Sequence, residues 1–216
     1  HKNYDLLMEH NLEIIGETSV RIVHNLIAPA GVKLADVKRI YSHPVALAQC
    51  EKFLRSHSEI EVVSAHDTAG SVRMIVERES RDEAAIAGAE AARVYRADIL
   101  VEGIEDNSEN FTRFLLLTRP RSEIRVEGAN GERKTSLVLR ISNRPGALFR
   151  ALAALALRDI DLTKIESRPI EGRPWEYSFY LDFAGDRAEE RVSRALGHLS
   201  ELAESIRVLG SYPRSS

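Results

Sequence analysis

The hydrophobic pattern of this chain is interrupted once, over residues 120–133, and it restarts with a different rhythm. The interruption reads Pro120-Arg121-Ser122 and then Gly128-Ala129-Asn130-Gly131-Glu132-Arg133, which is linker composition. Beyond it, apolar periodicity predicts a strand over residues 136–141, a helix over 147–158 and a strand over 162–169. A turn at Gly172-Arg173-Pro174 follows, then an alternating strand over 176–183, a helix over 187–203 and a last strand over 206–209. That order, β-α-β-β-α-β, is the split ferredoxin-like unit, with two helices on one side of a sheet around one small core. We therefore divide the chain into a first domain over residues 1–119, a linker over 120–134 and a second domain over 135–213.

The first domain alternates strands and helices. Residues 11–28 mix Ile, Val and Leu with polar residues and predict one long or two short strands, closed by the loop Pro29-Ala30-Gly31. A short strand over 38–42 leads into a helix entered through His43-Pro44, with Ser42 as its cap, running through Phe53 and Leu54. A strand over 60–64 precedes a helix capped by Asp67 or Thr68, with Val72, Ile75 and Val76 as its apolar face. Residues 84–94 are alanine-rich and predict a closely packed helix, followed by a strand over 99–101 and an acidic loop over 102–110. Residues 112–118 are so apolar that we expect a strand buried on both faces. The alternation implies an α/β layer with a mostly parallel sheet.

Composition narrows the function classes. The chain of 216 residues is 44% hydrophobic and 29% charged, with net charge −3, ordinary values for a globular protein. This balance gives no reason to expect nucleic-acid binding. A single cysteine, Cys50, rules out an intrachain disulfide and fits a reducing compartment. No apolar run approaches the ~20 residues of a membrane span. The seven histidines show no metal-ligand spacing with a cysteine or carboxylate cluster. No phosphate-binding glycine motif occurs. Residue 1 is His rather than Met, so we read the chain as a fragment, or as a mature product whose beginning is missing.

Several residues are candidates for chemistry, each with a plain structural alternative. Ser42-His43-Pro44 suits a helix cap, and also a helix N-terminus that holds a substrate carboxylate. The same two readings apply to Asp67, Thr68, Ala69, Gly70 and Ser71, where glycine allows close approach to the backbone. Both turns are expected at strand C-terminal ends, where open α/β sheets bind ligands. Thr112 is a good strand former and Arg113 an exposed neighbour; alternatively, Arg113 pairs with an anion while Thr112 donates a hydrogen bond. Pro145 and Gly146 make a turn, or the rim of a pocket at a helix N-terminus. Glu166 and Arg168, two apart on a strand, share one face. They form a solvated strand end or a surface for a ligand or subunit.

Taken together, Asn3-Tyr4-Asp5-Leu6-Leu7, Ser42-His43-Pro44 with 46–50 (Ala-Leu-Ala-Gln-Cys), Asp67-Thr68-Ala69-Gly70, Thr112-Arg113-Phe114, Asn143-Arg144-Pro145-Gly146-Ala147-Leu148 and Glu166-Ser167-Arg168-Pro169 carry a resemblance. So does the tail, Val208 to Pro213. The chain resembles the prephenate dehydratase and arogenate dehydratase family with a C-terminal ACT domain. The resemblance implies a two-lobed α/β catalytic domain, periplasmic-binding-protein-like and here N-terminally truncated, followed by an α+β ferredoxin-like ACT domain. The family's opening strand, Gly-rich segment and Pro-x-Glu-Asn-Ser stretch have no counterpart in this sequence, so we expect one wall of the catalytic cleft to be missing.

By the same resemblance, the function is decarboxylating dehydration of prephenate to phenylpyruvate in phenylalanine biosynthesis, a carbon–oxygen lyase reaction without a cofactor. Thr112 assists the departing hydroxyl. Arg113 stands beside it in the catalytic motif. Substrate binding falls to Ser42, His43, Gln49, Asp67, Thr68, Ala69, Gly70, Ser71 and Phe114. Phenylalanine binds as allosteric inhibitor through Asn143, Pro145, Gly146, Ala147, Leu148, Glu166, Ser167 and Arg168 at a subunit interface, in a homodimer or homotetramer. The expected setting is cytoplasm, or plastid stroma in a plant or alga, with no nucleic-acid or membrane partner. The alternatives kept are an arogenate dehydratase, a non-catalytic phenylalanine-binding regulator and a periplasmic-type solute binder.

Overall fold

The computed structural model describes residues 2–120, 122, 124, 126, 131–170 and 172–215. By internal contacts the chain forms two compact units: Val20–Thr112, and residues 1–19 together with 113–216. The chain passes between them inside one two-stranded ribbon, made of β1 (Glu13–Arg21) and β7 (Phe111–Thr118). Part of the expected linker, residues 121, 123, 125 and 127–130, lies outside the described residues.

The Val20–Thr112 unit is a five-stranded sheet between helices. Its strands are β2 (Asn25–Ala28), β3 (Arg39–Ser42), β4 (Glu61–Ser64), β5 (Glu83–Ala87) and β6 (Asp98–Val101), in the order β4-β3-β5-β2-β6. β3 runs parallel to β4 and β5, whereas β2 runs antiparallel to β5 and β6. The expected mostly parallel sheet is therefore a mixed one. The cause is the connection after β2. A parallel return needs a crossover of about a dozen residues or more, usually a helix, and residues 29–38 carry only a single 3₁₀ turn, Leu34–Asp36.

Residues 84–94 differ more sharply from expectation. Instead of one helix they form β5, buried at every position, then α5 (Ala89–Tyr95). Ala84 and Ile86 face a core with Ala46, Leu47 and Cys50, while Ala85 and Ala87 face a second core with Val72, Ile75 and Ala92. A central strand covered on both faces needs small side chains where helices approach closely, and this requirement overrides alanine's helical preference. The helix after His43 is also split, into α2 (Pro44–Gln49) and α3 (Glu51–Ser56), because Cys50 leaves helical geometry at φ −118° and ψ 27°. α4 (Thr68–Glu77) buries Val72 and Ile75 as its periodicity predicts.

In the other unit, β8 (Arg133–Arg140), α6 (Ala147–Ala156), β9 (Leu162–Ile170), β10 (Arg173–Ala184), α7 (Glu190–Leu202) and β11 (Ser205–Pro213) follow the predicted order. The sheet order β11-β8-β10-β9, antiparallel throughout, is that of the split ferredoxin-like unit. Leu137, Leu139, Leu181 and Phe183 meet Ala151, Leu155, Val192 and Leu199 on the helix side. The other side is covered by the segment from Leu7 to Ile14. Here α1 (Lys2–Glu9), which the sequence reading did not anticipate, and β1 place Leu7 and Ile14 against Val138, Tyr180, Leu209 and Tyr212. Arg207 locks this layer by donating to the carbonyls of Met8 and Leu12, at 3.1 and 3.3 Å.

Gly210 on β11 lies close against the backbone of Ile14 on β1. A Cβ there would stand 2.0 Å from the carbonyl oxygen of Ile14, and backbone cannot yield as a side-chain end can. Gly210→Ala is expected to cost about 1–3 kcal/mol by overpacking, measured as a lower urea midpoint.

β7 is not buried on both faces. In a two-stranded ribbon it lacks neighbouring strands on its far edge, and Phe111, Phe114, Leu116 and Leu117 are exposed among the described residues. Its apolar composition alone could not distinguish this from a central strand.

Candidate active site

A cavity of 350 Å³ in the Val20–Thr112 unit gathers five of the predicted site residues: His43, Gln49, Asp67, Thr68 and Thr112. His43 stands at the head of α2 and Gln49 at its end. Asp67 and Thr68 begin α4, and Thr112 is the second residue of β7. The packing of α2 and α4 on opposite faces of β5 fixes where these helix ends lie.

Ser42, Ala69, Gly70 and Ser71 do not line this cavity, and each has another role or setting. Ser42 is fully buried and its hydroxyl donates to the carbonyl of Ile86 at 2.6 Å. It therefore ties β3 to β5, and the cap of α2 is His43, whose Nδ1 accepts from the Val45 N–H at 3.2 Å. Removing a buried donor leaves its acceptor unpaired, so Ser42→Ala is expected to cost about 1–3 kcal/mol, read from denaturant unfolding. Gly70 is needed by its own cap. The Asp67 carboxylate accepts from the Gly70 N–H at 2.5 Å and fills the space a Cβ would take. Ser71 donates to the Asp67 carbonyl at 2.6 Å. Gly70 and Ser71 instead line a second depression, of 460 Å³, with His66, Arg73 and Arg78.

Two cavity residues escaped sequence reasoning. His24, 5% exposed, precedes β2, and Asn110 precedes β7. Gln49 joins them: its Oε1 lies 2.8 Å from His24 Nε2, and its Nε2 donates to Asn110 Oδ1 at 3.4 Å. The backbone anchors both ends. The His24 N–H donates to Glu105 at 3.0 Å and the Ile22 N–H to the Asn110 carbonyl at 2.7 Å. Among the described residues, His24 Nδ1 and Asn110 Nδ2 are buried without a partner. A single histidine beside an apolar strand has no spacing signal. Cys50 takes no part as a nucleophile, because burial, with Asp106 and Glu105 nearby, pushes its thiol up to about 12.

Arg113 belongs to the other unit and is bonded there through each of its three nitrogens. Nε donates to Glu17 at 2.6 Å, one Nη to Asp182 at 2.5 Å and the other to the Tyr212 hydroxyl at 2.7 Å. Burial opposes its charge, but Asp182, Tyr212 and Glu17 outweigh that, and its pKa is raised. Adjacent strand residues point to opposite faces. With each of its three nitrogens bonded to Glu17, Asp182 or Tyr212, Arg113 holds that cluster together, whereas Thr112 beside it lines the cavity. Phe114 is half-exposed on β7 in that same unit.

The expected allosteric residues fall into two groups within the ferredoxin-like unit. Asn143, Pro145 and Gly146 form the exposed entry to α6, and Ala147 and Leu148, its first residues, are partly buried against the helix-side core. Gly146 adopts φ +75°, a left-handed conformation glycine supplies without a steric penalty. Glu166, Ser167 and Arg168 lie on β9, an edge strand of the sheet. A bulge between Leu162 and Lys164 shifts the register, so Ser167 pairs with Phe179, packed against the helix-side core, while Glu166 pairs with Tyr180 of the opposite face. Glu166 and Arg168 thus share a face, as their spacing predicts, with Lys164 paired to Glu166 at 3.0 Å.

Comparison with known proteins agrees with this arrangement. The prephenate dehydratase family profile matches residues 1–122 and the ACT domain profile residues 135–197. Arogenate dehydratase 2 of Petunia hybrida is 44% identical, aligned over 100% of this chain and 57% of its own length. The chloroplastic arogenate dehydratase/prephenate dehydratase 2 of Arabidopsis thaliana is also 44% identical, over 99% of this chain and 57% of its own length. The chain thus spans just over half the length of these relatives. The crystal structure of prephenate dehydratase from Arthrobacter aurescens in complex with L-Phe superposes with a TM-score of 0.82 at 36% identity, covering 94% of this chain and 66% of that one. On its matched residues, its mixed α/β unit and its ferredoxin-like ACT unit, the chain belongs to the prephenate dehydratase family.

Proposed function

We propose that this protein serves the decarboxylating dehydration of prephenate, or of its amino counterpart arogenate, and that phenylalanine restrains it through the ACT unit. The observation that carries the reading is Thr112. The family resemblance assigns it the chemistry, and it lines a cavity shared with His24, His43, Gln49, Asp67 and Asn110 and framed by two helix starts. In the reaction the ring carbon–oxygen bond breaks with its electron pair going to oxygen. The pair of the ring-carbon–carboxylate bond moves into the ring, and carbon dioxide and hydroxide leave. Aromatisation drives the step, and the protein's task is orientation and stabilisation of the departing hydroxide. A neutral threonine is too weak an acid for full proton transfer, so Thr112 acts as a hydrogen-bond donor to the growing charge.

Residues 1–119 carry the dehydratase function, residues 120–134 connect, and residues 135–213 sense the amino acid. The entry to α6 and the β9 segment Glu166-Ser167-Arg168 take phenylalanine where two subunits of a homodimer or homotetramer meet. Inhibition requires that phenylalanine favour one subunit arrangement over another. The Arthrobacter relative was crystallised with L-Phe, and the Arabidopsis relative is chloroplastic. The setting we assign is cytoplasm, or plastid stroma in a photosynthetic eukaryote. Prephenate and arogenate supplied separately to the intact protein, with phenylpyruvate and phenylalanine followed as the two products, test the reading and identify the preferred substrate. Formation of neither product removes it.

A further inference from the structure

We propose that His24 and Asn110, coupled through Gln49, form the receptor for the substrate's ring hydroxyl. This rests on the dehydratase reading and adds to it the groups that hold the leaving oxygen. Three observations carry it. Both residues line the cavity that contains Thr112. Each presents a buried polar atom with no partner, His24 Nδ1 and Asn110 Nδ2, and such atoms are few in folded proteins and call for a reason. Finally, Gln49 fixes the polarity of both. Its amide nitrogen donates to Asn110 Oδ1, leaving Asn110 Nδ2 as a donor. Its oxygen requires a proton on His24 Nε2, leaving Nδ1 of the neutral ring as an acceptor.

The two side chains that bracket the Gln49 amide thus offer one acceptor, His24 Nδ1, and one donor, Asn110 Nδ2, the complement of a hydroxyl group. The ligand's O–H donates to His24 Nδ1, and its oxygen accepts from Asn110 Nδ2. A carboxylate, which only accepts, satisfies Asn110 and leaves His24 Nδ1 facing a lone pair. When the carbon–oxygen bond breaks, the oxygen takes the electron pair and leaves as hydroxide while the carboxylate leaves as carbon dioxide. The hydroxide keeps its own proton, directed at His24. The new charge meets the Asn110 N–H as well as the Thr112 hydroxyl. Gln49 is then a positioning residue, and His24 and Asn110 touch the reacting group.

Two measurements on the intact protein test this. Asn110→Asp keeps size and shape but replaces the donor with a negative acceptor. The expected result is kcat lower by about 10²-fold or more, the effect of losing an oxyanion donor, with KM changed far less and the thermal melt retained. In the Thr112→Ala protein, labelled with ¹⁵N-histidine, prephenate should move the His24 Nδ1 resonance, and phenylpyruvate, which lacks the ring hydroxyl, should leave it in place. Unchanged kcat in Asn110→Asp, or equal responses to the two ligands, would overturn the proposal. If the wild-type protein turns over nothing, the dehydratase reading fails. Selective movement of His24 by prephenate then still supports the hydroxyl receptor, and no movement removes it as well.

Discussion

Thr112→Ala is expected to lower the rate of phenylpyruvate formation by about 10²- to 10³-fold, the range for loss of one donor to a developing oxyanion. Thr112 is exposed to the cavity on a ribbon strand, and no core depends on its side chain. The melting temperature should therefore stay close to wild type, and the loss should appear in kcat more than in KM. Thr112→Ser, which keeps the hydroxyl, should restore most of the activity. Equal damage from Ser and Ala would place the importance of this position in packing instead of hydrogen bonding.

The largest effect on stability is expected one residue later. The guanidinium of Arg113 lies between two carboxylates whose side chains are 2% and 4% exposed, those of Glu17 and Asp182. Lys134 also reaches Glu17, at 2.8 Å, while Asp182 is further held by Ser136. Arg113→Ala leaves Asp182 buried without its cation, and breaking a buried pair in this way costs about 3–5 kcal/mol. Asp182→Asn in the same background should recover part of that loss, since it removes the stranded charge. The pH dependence has a definite sign. Burial opposes ionisation of Glu17, but Lys134, Arg113 and the Ser215 N–H outweigh it and lower its pKa below 4.5. A lowered carboxyl pKa contributes stability that is fully present above the unfolded value and is lost as pH falls through the folded one. Wild type should lose stability on acidification below about pH 4.5, and Arg113→Ala should lose less over the same window. Urea midpoints measured across pH 2.5–7 check both expectations; parallel pH profiles would contradict this reading of the cluster.

The ferredoxin-like unit was legible because its strands alternate and its helices carry clean apolar faces, so period and order sufficed. The other unit was read less well, for identifiable reasons. Residues 83–87 combine helix-favouring alanines with a setting that only a central strand satisfies, and that setting is created by α2 and α4, far away in sequence. The apolar run 114–117 lies in a two-stranded ribbon, a difference of neighbours that no local pattern encodes. α1 covers the open face of a sheet whose strands begin more than a hundred residues later. The same logic holds at the site. Thr112, His43, Asp67 and Thr68 stand in motifs at helix starts and a strand start, Gln49 came from the family resemblance, and all five line one cavity. Ser42, Gly70 and Ser71 stand in those motifs too, yet their hydroxyls and amides are consumed by local hydrogen bonds. His24 and Asn110 lie 86 positions apart (110 − 24) and meet only through a folded glutamine.

The most direct test of the account is steady-state turnover of prephenate and of arogenate by the intact protein, with and without phenylalanine. The account predicts formation of phenylpyruvate or phenylalanine, suppressed when phenylalanine is added. A protein that binds phenylalanine yet converts neither substrate would contradict the assignment of the Thr112 cavity as a dehydratase site, leaving only the ACT unit's role as an amino-acid sensor.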